Sequence, residues 1–164
     1  MQPAADFKRL LAVLIDYKVE FIVVGGVSAV LQGAPITTFD LDIVPKRTTE
    51  NIEALLKALL SLHSVYRGQF GRTIEPTASA LIGEGHNLLI SDAGPIDVLG
   101  TIGKRLSYED LLPFTIVIKA LGSSNVKLLS LAKNIDIKEQ LGSEKDKAVL
   151  PILRRTLQEE KGNP

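Results

Sequence analysis

A short apolar run that ends in two glycines constrains the fold of this chain more than any other stretch. The segment FIVVGG, residues 21–26, is apolar and rich in β-branched residues, so it predicts a buried strand. Gly25 and Gly26 end that strand and open a helix that stops at Gly33. Free backbone N–H groups without nearby Cβ atoms favour a phosphate there, and Ser28 can add a hydroxyl. Taken alone, such a glycine pair more often marks only a tight strand-to-helix turn.

Length and composition narrow the class of protein. A chain of 164 residues with 45% hydrophobic and 23% charged residues predicts one compact domain, residues 1–164. The chain has 19 basic residues (lysine and arginine) and 19 acidic residues (aspartate and glutamate), so its net charge is zero. A neutral chain argues against an extended nucleic-acid surface. Cysteine is absent, which excludes disulfides and thiolate sites, and no signal peptide is evident, so we expect the cytoplasm. No apolar run approaches the ~20 residues of a membrane span, and nothing indicates the oligomeric state.

The periodicity of apolar residues predicts an α+β fold. Helical spacing recurs in four segments: residues 6–20, 48–62, 131–140 and 145–159. Short apolar runs predict strands, including a hairpin over 87–100 and a pair of strands around the turn GSSN. In residues 64–86 the pattern predicts only a strand near 65–69. We therefore expect a small mixed sheet with helices packed on one face, a core over about 20–100, and a C-terminal helical pair over about 131–160.

Two acids alternate with apolar residues in FDLDIVP, residues 39–45. On a strand, Phe39 and its apolar neighbours would face inward, and Asp40 and Asp42 would share the other face. Like charges about 5–7 Å apart disfavour joint ionisation, so a divalent cation is the economical partner. For an arbitrary pair of this kind, two solvated surface acids are the commoner explanation.

A third acid strengthens the metal interpretation. Asp97 stands between apolar residues on another predicted strand, where an unpaired buried charge would be costly. Asp92 is the alternative third acid, although it lies in the turn SDAGP, where aspartate has a local backbone role. His63 and His86 lack ligand spacing, so no histidine site is predicted. Three acids could together hold two metal ions.

The stretch from FIVVGG to DLDIVP resembles the nucleotidyltransferase superfamily that includes DNA polymerase β. In that pattern a glycine pair at a strand-to-helix turn is followed by an acid-x-acid strand and a later third acid. The segment GAPITTFDLD is most similar to small bacterial proteins of the AbiEii toxin type, matching at Gly33, Thr38, Asp40 and Asp42. Ile36 departs from it, because a basic residue is often found there.

A later segment, IDIKEQLGSEKDKAVLPIL, is similar to the helix, glycine turn and Lys-Asp ending of the same family. Lys138, Lys145 and Asp146 are the matching positions. Without the resemblance, both lysines would more often be charges at helix ends.

The resemblance implies a metal-dependent transfer of a nucleoside monophosphate from a nucleoside triphosphate to a hydroxyl group. The implied ligands of Mg²⁺ or Mn²⁺ are Asp40, Asp42 and Asp97, and Asp97 would help to deprotonate the hydroxyl. The implied nucleotide contacts are Gly25, Gly26, Ser28, Thr38, Lys138 and Lys145. The acceptor stays open between a protein side chain, a tRNA end and a small molecule such as an antibiotic, with a toxin-antitoxin role implied by the likeness alone. The alternative is a catalytically silent domain of the same fold that binds a nucleotide or a partner.

Overall fold

Seven strands and seven α-helices build the chain over residues 5–162, the part that the computed structural model describes. Residues 1–4 and 163–164, which the single-domain prediction includes, lie outside it. The strands are β1 (Phe21–Val24), β2 (Leu41–Pro45), β3 (Val65–Tyr66), β4 (His86–Ser91), β5 (Gly94–Leu99), β6 (Thr115–Ala120) and β7 (Ser124–Leu129). The helices are α1 (Phe7–Asp16), α2 (Gly25–Leu31), α3 (Thr49–Ser61), α4 (Ala78–Leu81), α5 (Tyr108–Leu111), α6 (Leu131–Leu141) and α7 (Glu144–Gly162), and a 3₁₀ turn covers Leu112–Phe114.

All seven strands form one mixed sheet in the order β3-β4-β5-β2-β1-β7-β6. β1 runs antiparallel to β2 and parallel to β7, while β2 and β5 are parallel neighbours at the centre. The predicted hairpin is present as β4 and β5, and the predicted pair around GSSN is present as β6 and β7. The predicted mixed sheet is therefore confirmed, and its centre pairs the strand of Asp42 with that of Asp97.

Helices α1 and α3 cover one face of the sheet, because their apolar stripes are buried against it. Leu10 and Leu14 of α1 and Leu55 and Leu59 of α3 join one core cluster with the inward residues of β1, β2, β5 and β7. On the opposite face, α5 and α6 cover part of β1 and β2 with a smaller apolar cluster. The α+β class and the C-terminal helical pair, α6 and α7, match the prediction. Helices cover both faces of the sheet instead of the one face expected, because apolar residues of α5 and α6 pack on the second face.

Local capping chemistry sets the helix bounds. Asp6 Oδ1 accepts a hydrogen bond from the Arg9 amide at 3.1 Å, and Thr48 caps α3 in the same way. α6 ends at Gly142, which adopts a left-handed conformation with φ of 62°, and Ser143 then accepts from the Asp146 amide at 3.1 Å. This tight turn brings the two C-terminal helices beside the cleft described below.

One predicted orientation is wrong. Phe39 was expected to face the core with the apolar residues of β2, yet its side chain is 63% exposed. The strand begins only at Leu41, and Asp40 occupies a bend before it. Strand alternation therefore does not extend back to Phe39.

Candidate active site

Three carboxylates meet above the centre of the sheet. Asp42 of β2 and Asp97 of β5 are register partners across a parallel strand pair, and Asp40 lies one residue before β2. One oxygen from each carboxylate lies within 4.8 Å of the other two. Asp97 is only 7% exposed. The sheet register, rather than a loop, thus fixes the approach of Asp42 to Asp97.

Burial and mutual repulsion make these carboxylates hard to ionise together. Burial, followed by the charges of Asp40 and Asp97, raises the pKa of Asp42 from its ordinary value of 3.8 to about 8. Burial also raises the pKa of Asp97 to about 6, and a hydrogen bond with Asp40 adds to the effect. Asp42 Oδ1 is buried and has no hydrogen-bond partner among the residues described. An unpartnered anionic oxygen in such a cluster fits a bound cation.

The chemistry of the donor set indicates which cation fits. All three groups offer carboxylate oxygens, the ligands that Mg²⁺ and Mn²⁺ prefer, whereas zinc sites usually include histidine or cysteine. Within residues 5–162, no other cluster of three or more histidines and acids has this closeness. Asp40, Asp42 and Asp97 could therefore hold a hard divalent cation.

Arg67 contacts this cluster, and no local sequence pattern predicts that contact. Its Nη2 atom lies 2.7 Å from Asp97 Oδ1, and its Nη1 atom donates a hydrogen bond to the Leu89 carbonyl at 3.2 Å. The contact with Asp97 is an ion pair, but its geometry is not that of a hydrogen bond. Asp97 Oδ1 therefore accepts no hydrogen bond from the described residues. The buried charge predicted at Asp97 could have prompted a search for a basic partner.

Two glycines are required by close approach of side chains. Gly25 has a φ of 65°, and a Cβ atom there would overlap Asp42 Oδ2. A Cβ atom on Gly26 would lie 2.5 Å from Thr38 Oγ1. Side chains at these positions would push Asp42 and Thr38 out of place, so the glycines leave room around the carboxylates.

A cleft of about 260 Å³ opens beside Asp40 and Asp42. Seven of the nine predicted site residues line it: Gly25, Gly26, Thr38, Asp40, Asp42, Lys138 and Lys145. Lys138 Nζ lies 3.1 Å from Asp146 Oδ1, so its charge is partly engaged. Lys145 forms no ion pair with any residue of the described chain. The cleft is therefore lined by two acids and two lysines.

Ser28 does not reach the cleft, contrary to expectation. It is 0% exposed, and its hydroxyl donates a hydrogen bond to the Leu129 carbonyl at 2.6 Å. Gln32 donates to the same hydroxyl at 3.1 Å. Ser28 thus ties α2 to β7, and its hydroxyl is engaged there instead of facing the cleft where the phosphate contact was expected.

The structure also separates the alternative acid from the cluster. Asp92 pairs with the exposed His63 instead of approaching Asp40 or Asp42. His86 Nε2 lies 2.9 Å from the Thr101 carbonyl oxygen, which accepts a hydrogen bond from it. Neither histidine belongs to the carboxylate cluster.

Comparison with solved structures identifies the fold. A candidate nucleotidyltransferase from Thermotoga maritima, TM1012, is similar with a TM-score of 0.57 and 21% identity, over 93% of this chain and 91% of that one. The lincosamide antibiotic adenylyltransferase LnuA, in its lincomycin-bound form, is similar with a TM-score of 0.62 and 10% identity, over 93% and 98%. The chain has the nucleotidyltransferase fold. No protein-family model matches the sequence, and no curated protein matches it either.

No helix within residues 5–162 combines the length and the apolar character needed to cross a bilayer.

Proposed function

We propose that this protein is a metal-dependent nucleotidyltransferase that moves a nucleoside monophosphate from a nucleoside triphosphate to a hydroxyl group. The observation that carries the proposal is the convergence of Asp40, Asp42 and Asp97 within 4.8 Å, beside a cleft that also contains two glycines and two lysines. The fold shared with nucleotidyltransferase structures supports it.

The three carboxylates would hold Mg²⁺ or Mn²⁺. The buried, unpartnered Asp42 Oδ1 and the all-oxygen donor set fit such an ion. When bound, the cation supplies charge neutralisation at the transferred phosphate and lowers the pKa of the attacking hydroxyl. Asp42 and Asp97 would then be ionised at neutral pH, because the cation offsets the burial and the repulsion that raise their pKa values.

The lysines and glycines of the cleft would take the triphosphate. Lys145 and Lys138 offer positive charge, and Gly25 and Gly26 present backbone without side chains, so phosphate oxygens can approach closely. The Thr38 hydroxyl, which donates to the Asp40 carbonyl at 3.4 Å, lies between these glycines and the acids. In this arrangement Lys145 is the stronger contact, since Asp146 already pairs with Lys138.

Asp97 would assist the attacking hydroxyl. The hydroxyl oxygen forms a bond to the α-phosphorus, the bond from that phosphorus to the bridging oxygen breaks, and pyrophosphate leaves. A carboxylate oxygen of Asp97 accepts the hydroxyl proton. The atoms balance as a nucleoside triphosphate plus an alcohol giving a phosphodiester plus pyrophosphate.

Three classes of acceptor fit this chemistry: a protein side chain, a tRNA end and a small hydroxylated molecule. LnuA is an antibiotic adenylyltransferase bound to lincomycin, which supports testing ATP and small hydroxylated antibiotics first. The likeness of the Gly33–Asp42 segment to AbiEii-type proteins supports testing a toxin-antitoxin role in the cytoplasm. The balanced net charge supports acceptors other than long nucleic acids.

The experiment incubates the protein with Mg²⁺, each of the four α-labelled nucleoside triphosphates, cell extract and a panel of hydroxylated small molecules. Asp42→Asn, which keeps the side-chain shape, is the matched control, and circular dichroism checks its fold. We expect a labelled product with the natural protein and at least a ~100-fold loss with the variant. Equal labelling by both proteins, or none with any acceptor, would contradict the proposal.

Ile36 favours one alternative function. It lines the cleft at a position where a basic residue is often found in the related segment, so one polar contact to a triphosphate is missing. A nucleotide-binding or partner-binding domain without turnover would fit that loss. Calorimetric binding of ATP with Mg²⁺, in the absence of any transfer product, would identify the binder.

A further inference from the structure

Arg67 is the one cation within residues 5–162 that forms an ion pair with any of the three carboxylates. Its Nη2 atom lies 2.7 Å from Asp97 Oδ1, and its side chain is 19% exposed. It therefore balances part of the negative charge of the cluster at Asp97, which does not line the cleft with the two lysines.

The backbone of Arg67 is held in place, whereas its guanidinium is held less firmly. The amide of Arg67 donates to the Leu88 carbonyl at 3.0 Å, which continues the edge pairing begun by β3. The guanidinium makes one hydrogen bond, to the Leu89 carbonyl at 3.2 Å, and one unaligned ion pair. The segment after it has left-handed residues at Gly68, Phe70 and Gly71. The contacts of the guanidinium are separate from the backbone pairing of the sheet, so their loss would leave that pairing in place.

A divalent cation and Arg67 would compete for the same carboxylate. Asp97 Oδ1 contacts the guanidinium, and a cation shared by all three acids needs an oxygen of Asp97. Two positive groups a few ångströms apart repel in a partly buried site, so the presence of one weakens the other. No cation of residues 5–162 forms an ion pair with Asp40 or Asp42, and the Lys145 charge acts on Asp42 only by lowering its pKa.

We propose that Arg67 is an internal counter-cation that competes with the divalent metal for Asp97 and weakens binding of free metal. This inference rests on the proposed function, since it concerns the metal site assigned there. Arg67 is a positioning residue: it holds the Asp97 carboxylate while no metal is present and releases it when metal enters. Free cation then binds poorly, and the negative triphosphate is needed to bring the second ion into the cluster.

The test titrates Mn²⁺ without nucleotide into the full chain and follows binding by calorimetry and by the electron paramagnetic resonance of free Mn²⁺. The variant is Arg67→Gln, which removes the charge and keeps an N–H donor for the Leu89 carbonyl. The matched control is Arg72→Gln, an exposed arginine in the same loop that forms no side-chain ion pair within the described chain. We expect Arg67→Gln to bind Mn²⁺ about tenfold more tightly than the natural protein, and Arg72→Gln to leave the affinity unchanged.

A second readout reports on the guanidinium itself. The side-chain N–H resonances of Arg67, assigned by their loss in Arg67→Gln, should shift as Mg²⁺ is added to the natural protein. Resonances of Arg72 should stay in place. Arg67 signals that do not move while Mg²⁺ binds would overturn the competition, because the ion pair would then survive metal entry.

The remaining outcomes separate this inference from the proposed function. Equal or weaker Mn²⁺ binding by a folded Arg67→Gln, with clear binding by the natural protein, overturns the inference and leaves the metal site standing. No binding by either protein overturns both. If Arg67→Gln fails to fold, Arg67→Lys takes its place, because a shorter, single-point cation spans the Leu89 carbonyl and Asp97 poorly. Mn²⁺ affinity about threefold tighter in Arg67→Lys then supports the inference, and unchanged affinity overturns it.

Discussion

Replacing Asp42 with asparagine should stabilise the metal-free protein, and increasingly so as the pH rises. The substitution keeps the shape of the side chain and removes the charge that burial and two neighbouring acids oppose. The pKa of Asp42 is 3.8 in an unperturbed chain and about 8 in the folded protein, so the folded state holds this proton more tightly. The stability that this provides is complete below about pH 4 and is lost as the pH rises towards 8.

The magnitude follows from proton linkage. One proton held by the folded state and released by the unfolded state lowers the free energy of unfolding by ~1.4 kcal/mol for each pH unit. From about pH 5 to about pH 7, the natural protein should therefore lose ~3 kcal/mol relative to Asp42→Asn. For a chain of this size, that corresponds to roughly 5–10 °C in the difference between their melting temperatures.

Thermal melts in a chelator, followed by circular dichroism at three pH values between 5 and 7, measure this difference. Asp16→Asn is the matched control, because Asp16 is an exposed acid at the end of α1, outside the cluster. The melting temperature of Asp16→Asn should change with pH in the same way as that of the natural protein. Added Mg²⁺ should raise the melting temperature of the natural protein most at the highest pH and change that of Asp42→Asn little. If Asp42→Asn also runs parallel to the natural protein, then Asp42 ionises without penalty and the reasoning from burial and repulsion is refuted.

Three further substitutions test other parts of the site. Gly25→Ala should lower the rate of transfer by more than ~10-fold and the free energy of unfolding by ~1–3 kcal/mol, because its Cβ atom would overlap the Asp42 carboxylate. Gly33 also has a positive φ but open space around it, so Gly33→Ala should lower stability and keep activity. Thermal melts and rate assays measure both effects. Ser28→Ala should lower the free energy of unfolding by ~1 kcal/mol in a denaturant titration and leave the KM for nucleotide unchanged. A raised KM would indicate that Ser28 contacts the nucleotide. Lys145→Ala should raise the KM for nucleoside triphosphate about tenfold, whereas the exposed Lys147→Ala should not; equal KM values would remove Lys145 from the phosphate contacts.

The centre of the site was predictable because its signals are local. The apolar run of β1, the glycine pair and the acids of β2 stand within 25 residues, and their order along the chain fixes their neighbourhood. Asp97 was found because an acid between apolar residues on a strand is unusual unless it has a function or a partner. The parallel register of β2 and β5 then brings it to Asp42.

Other features were missed because distant parts of the chain decide them. Ser28 faces the interior because α2 packs against β7, whose Leu129 carbonyl lies 101 residues later in the sequence. Arg67 follows a strand of only two residues, in a segment without apolar periodicity, and reaches Asp97 through the pairing of β3 with β4. Phe39 is exposed because a bend at Asp40 interrupts the alternation that the sequence suggests. Local patterns do not contain such long-range contacts.

The most direct measurement is a crystal structure of the protein with Mn²⁺ and a non-hydrolysable nucleoside triphosphate, read through the anomalous signal of manganese. We expect a manganese peak bound by oxygens of Asp40 and Asp42, with the phosphates between the glycine pair and Lys145. A nucleotide bound elsewhere, or no manganese peak at the carboxylates while the nucleotide is in place, would contradict the proposed site.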